Sequence, residues 1–152
     1  MREIRIELKD AMPLIKEKLA EGKEVSFSPS GSSMLPTLKA GRDSLILVSA
    51  PKRLRKYDIA LYMRNNGQFV VHRVAKVGES YTFIGDNQLV YEKNISDGQI
   101  IALCKAYVRG GKRVELDSFG CRAFARLIFI SRFFKRAYRK LASVAKATVG
   151  KK

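Results

Sequence analysis

The stretch that decides the fold is IALYMRNNGQFVVHRV, residues 59–74. Two runs rich in β-branched and aromatic residues flank Asn66-Gly67, a dipeptide that is a strong signal for a hairpin of the type I′ class. The two runs are therefore predicted to be paired antiparallel strands. Side chains alternate along a strand, so Val70, His72 and Val74 share one face of the second strand. The single histidine thus lies on the more apolar face.

Similar short strands are predicted on both sides of this hairpin. They are rich in Val, Ile and Tyr and are bounded by Gly, Asn or Pro turns. The predicted strands cover residues 23–28, 44–48, 58–63, 68–74, 80–84, 100–108 and 113–116. A mainly β fold follows, with a mostly antiparallel β domain over residues 23–117.

The segment before the strands, residues 1–22, is predicted to form an amphipathic helix. Its apolar residues recur at spacings of three and four, which places them on one helix face. They are Leu8, Ala11, Met12, Ile15 and Leu19. The helix is expected to start near Asp10, with Pro13 in its first turn, and to stop at Gly22.

The segment after the strands, residues 118–152, is predicted to be a basic amphipathic helix over about residues 119–149. Apolar side chains, among them Phe124, Ile128 and Leu141, share one face, and many Lys and Arg residues occupy the rest. Such a helix fits reversible attachment to an anionic membrane leaflet. The alternative is a helix packed on the β domain with a solvated basic outer face.

Length and composition limit the classes of function. The 152 residues correspond to about one domain, and the formal net charge of +16 favours anionic partners. Two cysteines without a CxxC spacing and one histidine indicate neither a disulfide framework nor a zinc site, so no metal or cofactor is expected. We see no signal peptide and no apolar run of spanning length, which predicts a cytoplasmic protein, peripheral at most on the inner membrane face.

Ser33 and His72 are the candidates for nucleophilic chemistry. Ser33 follows Gly31 in a Ser, Gly and Pro-rich turn, and a serine hydroxyl needs a base such as the only imidazole, His72, to become a nucleophile. Taken alone, a serine-rich loop and a single histidine are more often structural. The order of the surrounding motifs supports the catalytic interpretation.

Three ordered motifs resemble the superfamily of type I signal peptidases and self-cleaving repressor peptidases. Residues 31–38, GSSMLPTL, are similar to its Ser-Met-x-Pro-Thr nucleophile motif, which implies Ser33 as nucleophile. Segments 40–43 and 56–62 resemble the family's following Gly-Asp and strand segments. Residues 71–74, VHRV, resemble the strand on which the endoplasmic-reticulum and archaeal members carry a His base in place of Lys. The resemblance implies a coiled antiparallel β domain and His72 as base.

The third motif, residues 85–87, GDN, resembles the segment that follows in signal peptidases. It implies an acid that orients the base, and Asp86 is the preferred residue, with Glu92 as second choice. The family's members often carry a serine two residues before the nucleophile as an oxyanion donor, where this chain has Gly31. The remaining donors are then the Ser33 backbone N–H and Ser32.

Two functions of different classes follow. The first is a Ser/His serine endopeptidase that cuts a leader or precursor peptide, with a peptide or protein as substrate. The second is a catalytically weak basic module that contacts anionic membrane or nucleic acid. No motif beyond charge supports specific nucleic-acid recognition. The chain is too short before Ser33 to hold the DNA-binding domain of a self-cleaving repressor.

Overall fold

The computed structural model describes residues 8–149 and confirms a mainly β chain with two helices. Helix α1 spans Leu8–Ala20 and helix α2 spans Phe119–Val149. The strands between them are β1 (Val25–Phe27), β2 (Asp43–Ser49), β3 (Ile59–Met63), β4 (Phe69–Val77), β5 (Tyr81–Ile84), β6 (Glu92–Ile95), β7 (Ile100–Arg109) and β8 (Lys112–Glu115).

All eight strands belong to one antiparallel sheet, in the order β1-β2-β7-β3-β4-β5-β6, with β8 also paired to β7. The central pairing of β3 with β4 sets Ala60 opposite His72 and Tyr62 opposite Val70. Strand β5 pairs with β4 only from Arg73 onward. Residues 69–72 of β4 are therefore paired on the β3 side only.

The hairpin predicted at Asn66-Gly67 joins β3 to β4, but its turn is not type I′. The Gly67 N–H donates to the Arg64 carbonyl at 2.9 Å, and Gly67 has φ +80° whereas Asn66 lies outside the positive-φ region. A type I′ turn needs positive φ at both central residues, so this is a three-residue loop that ends in a left-handed glycine. Strand pairing was predictable because it depends on the flanking pattern rather than on the turn type.

Helix α1 packs on one face of the sheet through the predicted apolar stripe. Met12, Ile15 and Leu19 are buried and join Leu45, Leu47, Ile59 and Leu61 in one core cluster. Full burial of each such side chain is worth about 1.5–3 kcal/mol. The helix is described from Leu8 rather than Asp10, and Pro13 therefore lies inside it, beyond the first turn.

A second core cluster includes Tyr62, Val74, Tyr81 and Phe83, which belong to β3, β4 and β5. Tyr62 stacks on Phe83 with ring centroids 4.4 Å apart and planes 25° apart. The phenol of Tyr62 is thereby held in one orientation beside His72, the feature of this cluster that matters for the site.

Strand β6 and the short 3₁₀ turn Asp97–Gln99 were not predicted from the sequence. Glu92, Lys93 and Asn94 offer no apolar alternation, because β6 is an outer strand in which only Ile95 is buried. The strand forms because β5 supplies a pairing edge, in which Phe83 lies opposite Glu92. That pairing brings Glu92 into the neighbourhood of β3 and β4.

The chain divides into two compact units with the boundary between Ser118 and Phe119. Helix α1 and the sheet make up the first unit, and α2 makes up the second. Over residues 8–149, neither helix carries an apolar segment long enough to cross a bilayer.

Candidate active site

Ser33 and His72 line the same groove, which has a cavity volume of about 270 Å³. Its walls are formed by the start of α1, the end of β1 and the loop after it, the β3–β4 loop, the first half of β4, and Gln88. Much of the lining is apolar, including Leu8, Phe27, Met34, Phe69 and Val71. The structure thus brings together the two residues for which the sequence predicted chemistry, although 39 residues separate them in the chain.

Ser33 begins a turn that follows a left-handed glycine. Gly31 has φ +78°, a conformation that side-chain-bearing residues rarely adopt, and this fixes the path of the chain into Ser33. Within residues 8–149 we find no hydrogen-bond acceptor for the Ser33 backbone N–H and no hydrogen bond between the Ser33 hydroxyl and His72. Ser33 is half-buried and is one of the residues that line the groove.

The GDN segment holds the turn that contains Ser33 through two hydrogen bonds from Asn87. The Asn87 N–H donates to the Ser33 carbonyl at 2.8 Å, and the Asn87 side-chain amide donates to the Ser32 carbonyl at 3.3 Å. Gly85 approaches so closely that a Cβ there would lie 2.7 Å from the Ser33 carbonyl oxygen. The motif order seen in the sequence thus has a physical cause: GDN supports the turn that presents Ser33.

His72 is 1% exposed, and its Nδ1 atom has two oxygen neighbours. Glu92 Oε1 lies 3.1 Å away and the Tyr62 hydroxyl 3.2 Å away. The same hydroxyl donates to Glu92 Oε2 at 2.8 Å. Glu92, the second choice from sequence, is therefore the carboxylate bonded to the imidazole.

Arg64 holds the Glu92 carboxylate from the other side. Its Nε donates to Glu92 Oε2 at 2.8 Å, and its Nη2 donates to Oε1 in a second hydrogen bond. Burial alone would raise the pKa of the Glu92 carboxyl, but the hydrogen bonds from Arg64 and Tyr62 outweigh it and keep that pKa below its ordinary value. Glu92 is thus ionised at neutral pH and fixed in position.

The pKa of the His72 ring is held below its ordinary value, mainly by burial. Glu92 opposes this effect, while the positive charge of Arg64 adds to it. A ring with a lowered pKa is neutral at physiological pH, which is the state that can accept a proton.

Asp86, the first choice from sequence for the residue that orients His72, has different partners. Its carboxylate accepts from Arg73 Nε at 2.8 Å and from Arg73 Nη2 at 2.7 Å, and also from the Thr37 hydroxyl. Neither of the hydrogen-bond partners of His72 is Asp86. Arg73, Thr37 and Asp86 are all buried, so they form an internal polar cluster that joins the three motifs.

Sequence reasoning missed Tyr62, Arg64 and Arg73. Tyr62 lies in β3 and Arg64 directly after it, two residues apart, so both side chains point to the same face of the sheet. His72 in β4 points to that face as well. The register that sets them against His72 was not readable from the sequence. For Arg73 the only signal was its position next to His72 in a strand expected to be half buried.

The predicted oxyanion donors, Ser32 and the Ser33 backbone N–H, lie in the turn that follows Gly31. Ser32 is exposed and its carbonyl accepts a hydrogen bond from the Asn87 side-chain amide, while Ser33 is one of the residues that line the groove. No group of three His, Cys, Asp or Glu side chains within residues 8–149 is placed to hold a metal ion. Comparisons of the chain with known protein families, curated proteins and solved structures found no match.

Proposed function

We propose that this protein is a serine endopeptidase of the signal-peptidase and repressor-peptidase type, in which Ser33 is the nucleophile and His72 the base. One observation carries the proposal: Ser33 and a buried His72, with Glu92 on its Nδ1 atom, line one groove. A serine, a base and a group that orients the base are the parts that nucleophilic acyl transfer requires. Glu92 takes the third role in place of Asp86.

In this mechanism the Ser33 hydroxyl attacks the carbonyl carbon of the scissile bond while His72 Nε2 takes its proton. The oxyanion forms beside the Ser33 N–H and Ser32, and His72 then returns the proton to the leaving amine. Water hydrolyses the acyl-enzyme by the same route. The Ser33–His72 hydrogen bond forms when substrate fills the groove, because catalytic hydrogen bonds often tighten only in the complex.

The substrate is a peptide in extended form, part of a leader or precursor. Residues 69–72 of β4 are paired on one side only, and β1 is an outer strand of the sheet; both border the groove. An extended peptide adds to such free strand edges through main-chain hydrogen bonds. The resemblance to signal peptidases implies small residues near the cut.

The test is cleavage of a peptide library with small residues at varied positions, read by mass spectrometry. Wild type is expected to cleave, and Ser33→Ala and His72→Ala to lose cleavage by at least about 1000-fold. Ser30→Ala is the matched control, since Ser30 lines the groove without a catalytic role. A serine-directed fluorophosphonate should add its mass to Ser33 in wild type. Neither cleavage nor labelling in wild type would refute the peptidase and favour the basic binding module.

We also propose that α2 attaches the protein to the inner face of an anionic membrane. Phe119, Leu127, Ile130, Phe134 and Tyr138 are all exposed. At 3.6 residues per turn these five fall within an arc of about 100°. No Asp or Glu occurs between Phe119 and Val149, whereas Lys and Arg recur along the helix. An apolar face on a basic helix suits anionic lipid, to which each Lys or Arg contributes about 1 kcal/mol.

Vesicle flotation tests this attachment. Vesicles of phosphatidylcholine with phosphatidylglycerol at physiological salt should carry wild type upward, and vesicles of phosphatidylcholine alone should carry much less. Leu127→Glu combined with Ile130→Glu should abolish flotation. Leu14→Glu is the control, because Leu14 is another exposed leucine, in α1. Wild type that stays with the soluble fraction in both mixtures would refute membrane attachment.

A further inference from the structure

We propose that Tyr62 and Arg64 are positioning residues that set His72 as the Nδ1–H tautomer and leave Nε2 as the nitrogen that accepts the Ser33 proton. The assignment of the tautomer comes from the hydrogen-bond geometry around Tyr62 and an ionised Glu92. Its catalytic meaning rests on the proposed function of His72 as base.

The tautomer follows from counting protons among three groups. Tyr62 Oη and Glu92 Oε2 lie 2.8 Å apart, and the ionised carboxylate has no proton, so the phenol must donate its own. The phenol oxygen can then only accept from Nδ1, 3.2 Å away. Glu92 Oε1, 3.1 Å from Nδ1, can also only accept. Both neighbours of Nδ1 are thus acceptors, and Nδ1 must carry the hydrogen.

The opposite tautomer would place lone pairs of electrons against each other. If Nδ1 lacked a proton, Tyr62 would have to choose between donating to Nδ1 and donating to Glu92. Either choice leaves lone pairs facing at about 3 Å inside the protein, where an unsatisfied polar contact is costly. Tyr62 is wholly buried and stacked on Phe83, so it has no room to turn away.

Arg64 acts on Glu92 and His72 through its hydrogen bonds and its positive charge. Its guanidinium donates to both oxygens of Glu92, which fixes the plane of the carboxylate that faces Nδ1. Its positive charge also offsets part of the attraction that Glu92 exerts on a protonated ring. Arg64 thus allows Glu92 to orient His72 without keeping the ring charged.

The charged and titratable groups that act on His72 come from each element around it. Glu92 of β6 and Asp86 of the loop after β5 favour the charged ring, Arg64 at the end of β3 disfavours it, and the Tyr62 phenol of β3 is neutral. Burial disfavours the charged ring most. Removing the Arg64 charge leaves the two carboxylates without this opposition, so the pKa of His72 should rise.

The experiment is nitrogen-15 NMR of the His72 ring, which is unambiguous because the chain has a single histidine. Labelled full-length protein is titrated with pH, and the ring nitrogen shifts report tautomer and pKa directly. We expect the Nδ1–H tautomer in wild type. Arg64→Met should raise the pKa of His72, while Arg64→Lys, which keeps the charge but loses the fork of donors, should raise it less.

Tyr62→Phe should loosen the tautomer preference, so that the separation of the two nitrogen shifts shrinks. In the cleavage assay it should lower kcat by about 10–100-fold, as is typical when an outer hydrogen-bond partner of a reactive group is removed. Tyr81→Phe is its matched control: Tyr81 is another buried tyrosine, and its hydroxyl donates to Asp97 at 2.7 Å.

Arg113→Met is the matched control for Arg64, because Arg113 also donates two hydrogen bonds to one glutamate, Glu24, and does not line the groove. Arg64→Met and Arg113→Met should both fold, since the Arg64 and Arg113 side chains are partly exposed, at 29% and 39%. Circular dichroism and thermal unfolding check this before the titrations.

The outcomes separate this inference from the peptidase itself. An Nε2–H tautomer in wild type, or equal ring pKa values in Arg64→Met and Arg113→Met, would overturn the positioning roles even if the protein cleaves peptides. If the tautomer and the pKa changes are as expected but the protein cleaves nothing, the positioning roles of Tyr62 and Arg64 are supported and only the proposed peptidase chemistry is refuted.

Discussion

Gly85→Ala tests the idea that the GDN segment supports the nucleophile turn. A Cβ on residue 85 would lie 2.7 Å from the Ser33 carbonyl oxygen, well inside the 3.4 Å at which ordinary contact begins. The opposing atom is backbone, which cannot rotate away as the end of a side chain can. Either the loop or the Ser33 turn must therefore move by roughly 0.7 Å.

The expected cost is that of overpacking, about 1–3 kcal/mol. For a chain of this size, 1 kcal/mol lowers Tm by about 2–4 °C, so Tm should fall by about 2–12 °C. The 2.8 Å hydrogen bond from the Asn87 N–H to the same carbonyl is strained by the same movement. A displacement of this size at the nucleophile should lower kcat/KM up to about 100-fold.

Gly78→Ala is the matched control. A Cβ on residue 78 would meet only the Ser80 carbonyl oxygen, at an ordinary 3.6 Å, and neither glycine has a positive φ that would add backbone strain. Thermal unfolding and the peptide assay are run on both variants beside wild type. Equal Tm values for the two variants would refute the close-packing argument, and a normal kcat/KM in Gly85→Ala would refute the supporting role.

Three further predictions concern the acids and pH. Asp86→Asn should destabilise the protein by about 3–5 kcal/mol in urea unfolding, because it leaves buried Arg73 without its carboxylate. Glu92→Gln should instead lower kcat by about 10–100-fold and change the free energy of unfolding by less than about 1 kcal/mol. The reverse pattern would restore Asp86 as the residue that orients His72. Burial lowers the pKa of His72, so the acidic limb of kcat/KM should lie below the ordinary imidazole value of about 6.5, and a limb at or above 6.5 would contradict this cause. The lowered pKa of His72 also makes the free energy of unfolding fall as pH drops below about 6.5, because the unfolded ring takes up a proton that the folded ring does not. In unfolding measured against pH, His72→Gln should reduce the slope of this fall.

The strands and helices were largely predictable because each depends on a local pattern. The β3–β4 hairpin was predicted from two apolar runs around Asn66-Gly67, and α1 from apolar residues at spacings of three and four. Strand β6 was missed because only Ile95 of its four residues is buried, and the strand is defined mainly by backbone pairing with β5. A strand that forms because its partner offers a free edge need not show an alternation of apolar and polar residues in its own sequence.

The site was predictable in part for the same reason. Ser33 and His72 were chosen as candidates because each stands in a recognisable local motif, and the structure places both in one groove, whereas their catalytic roles stay a prediction. Choosing between Asp86 and Glu92 required distances, since both acids follow His72 at short separation in the sequence. The motif favoured Asp86, but in the folded sheet Glu92 contacts the imidazole and Asp86 forms an ion pair with Arg73.

The sequence by itself determined the β class, the two amphipathic helices, the net charge and the choice of Ser33 and His72 as candidate residues, because periodicity, composition and short motifs are properties of neighbouring residues. Only the tertiary structure decided the partners of the imidazole. Tyr62, Arg64 and Glu92 reach His72 through the register of three strands. Register is set by packing of whole strands, and a shift of one residue would turn each of these side chains to the opposite face.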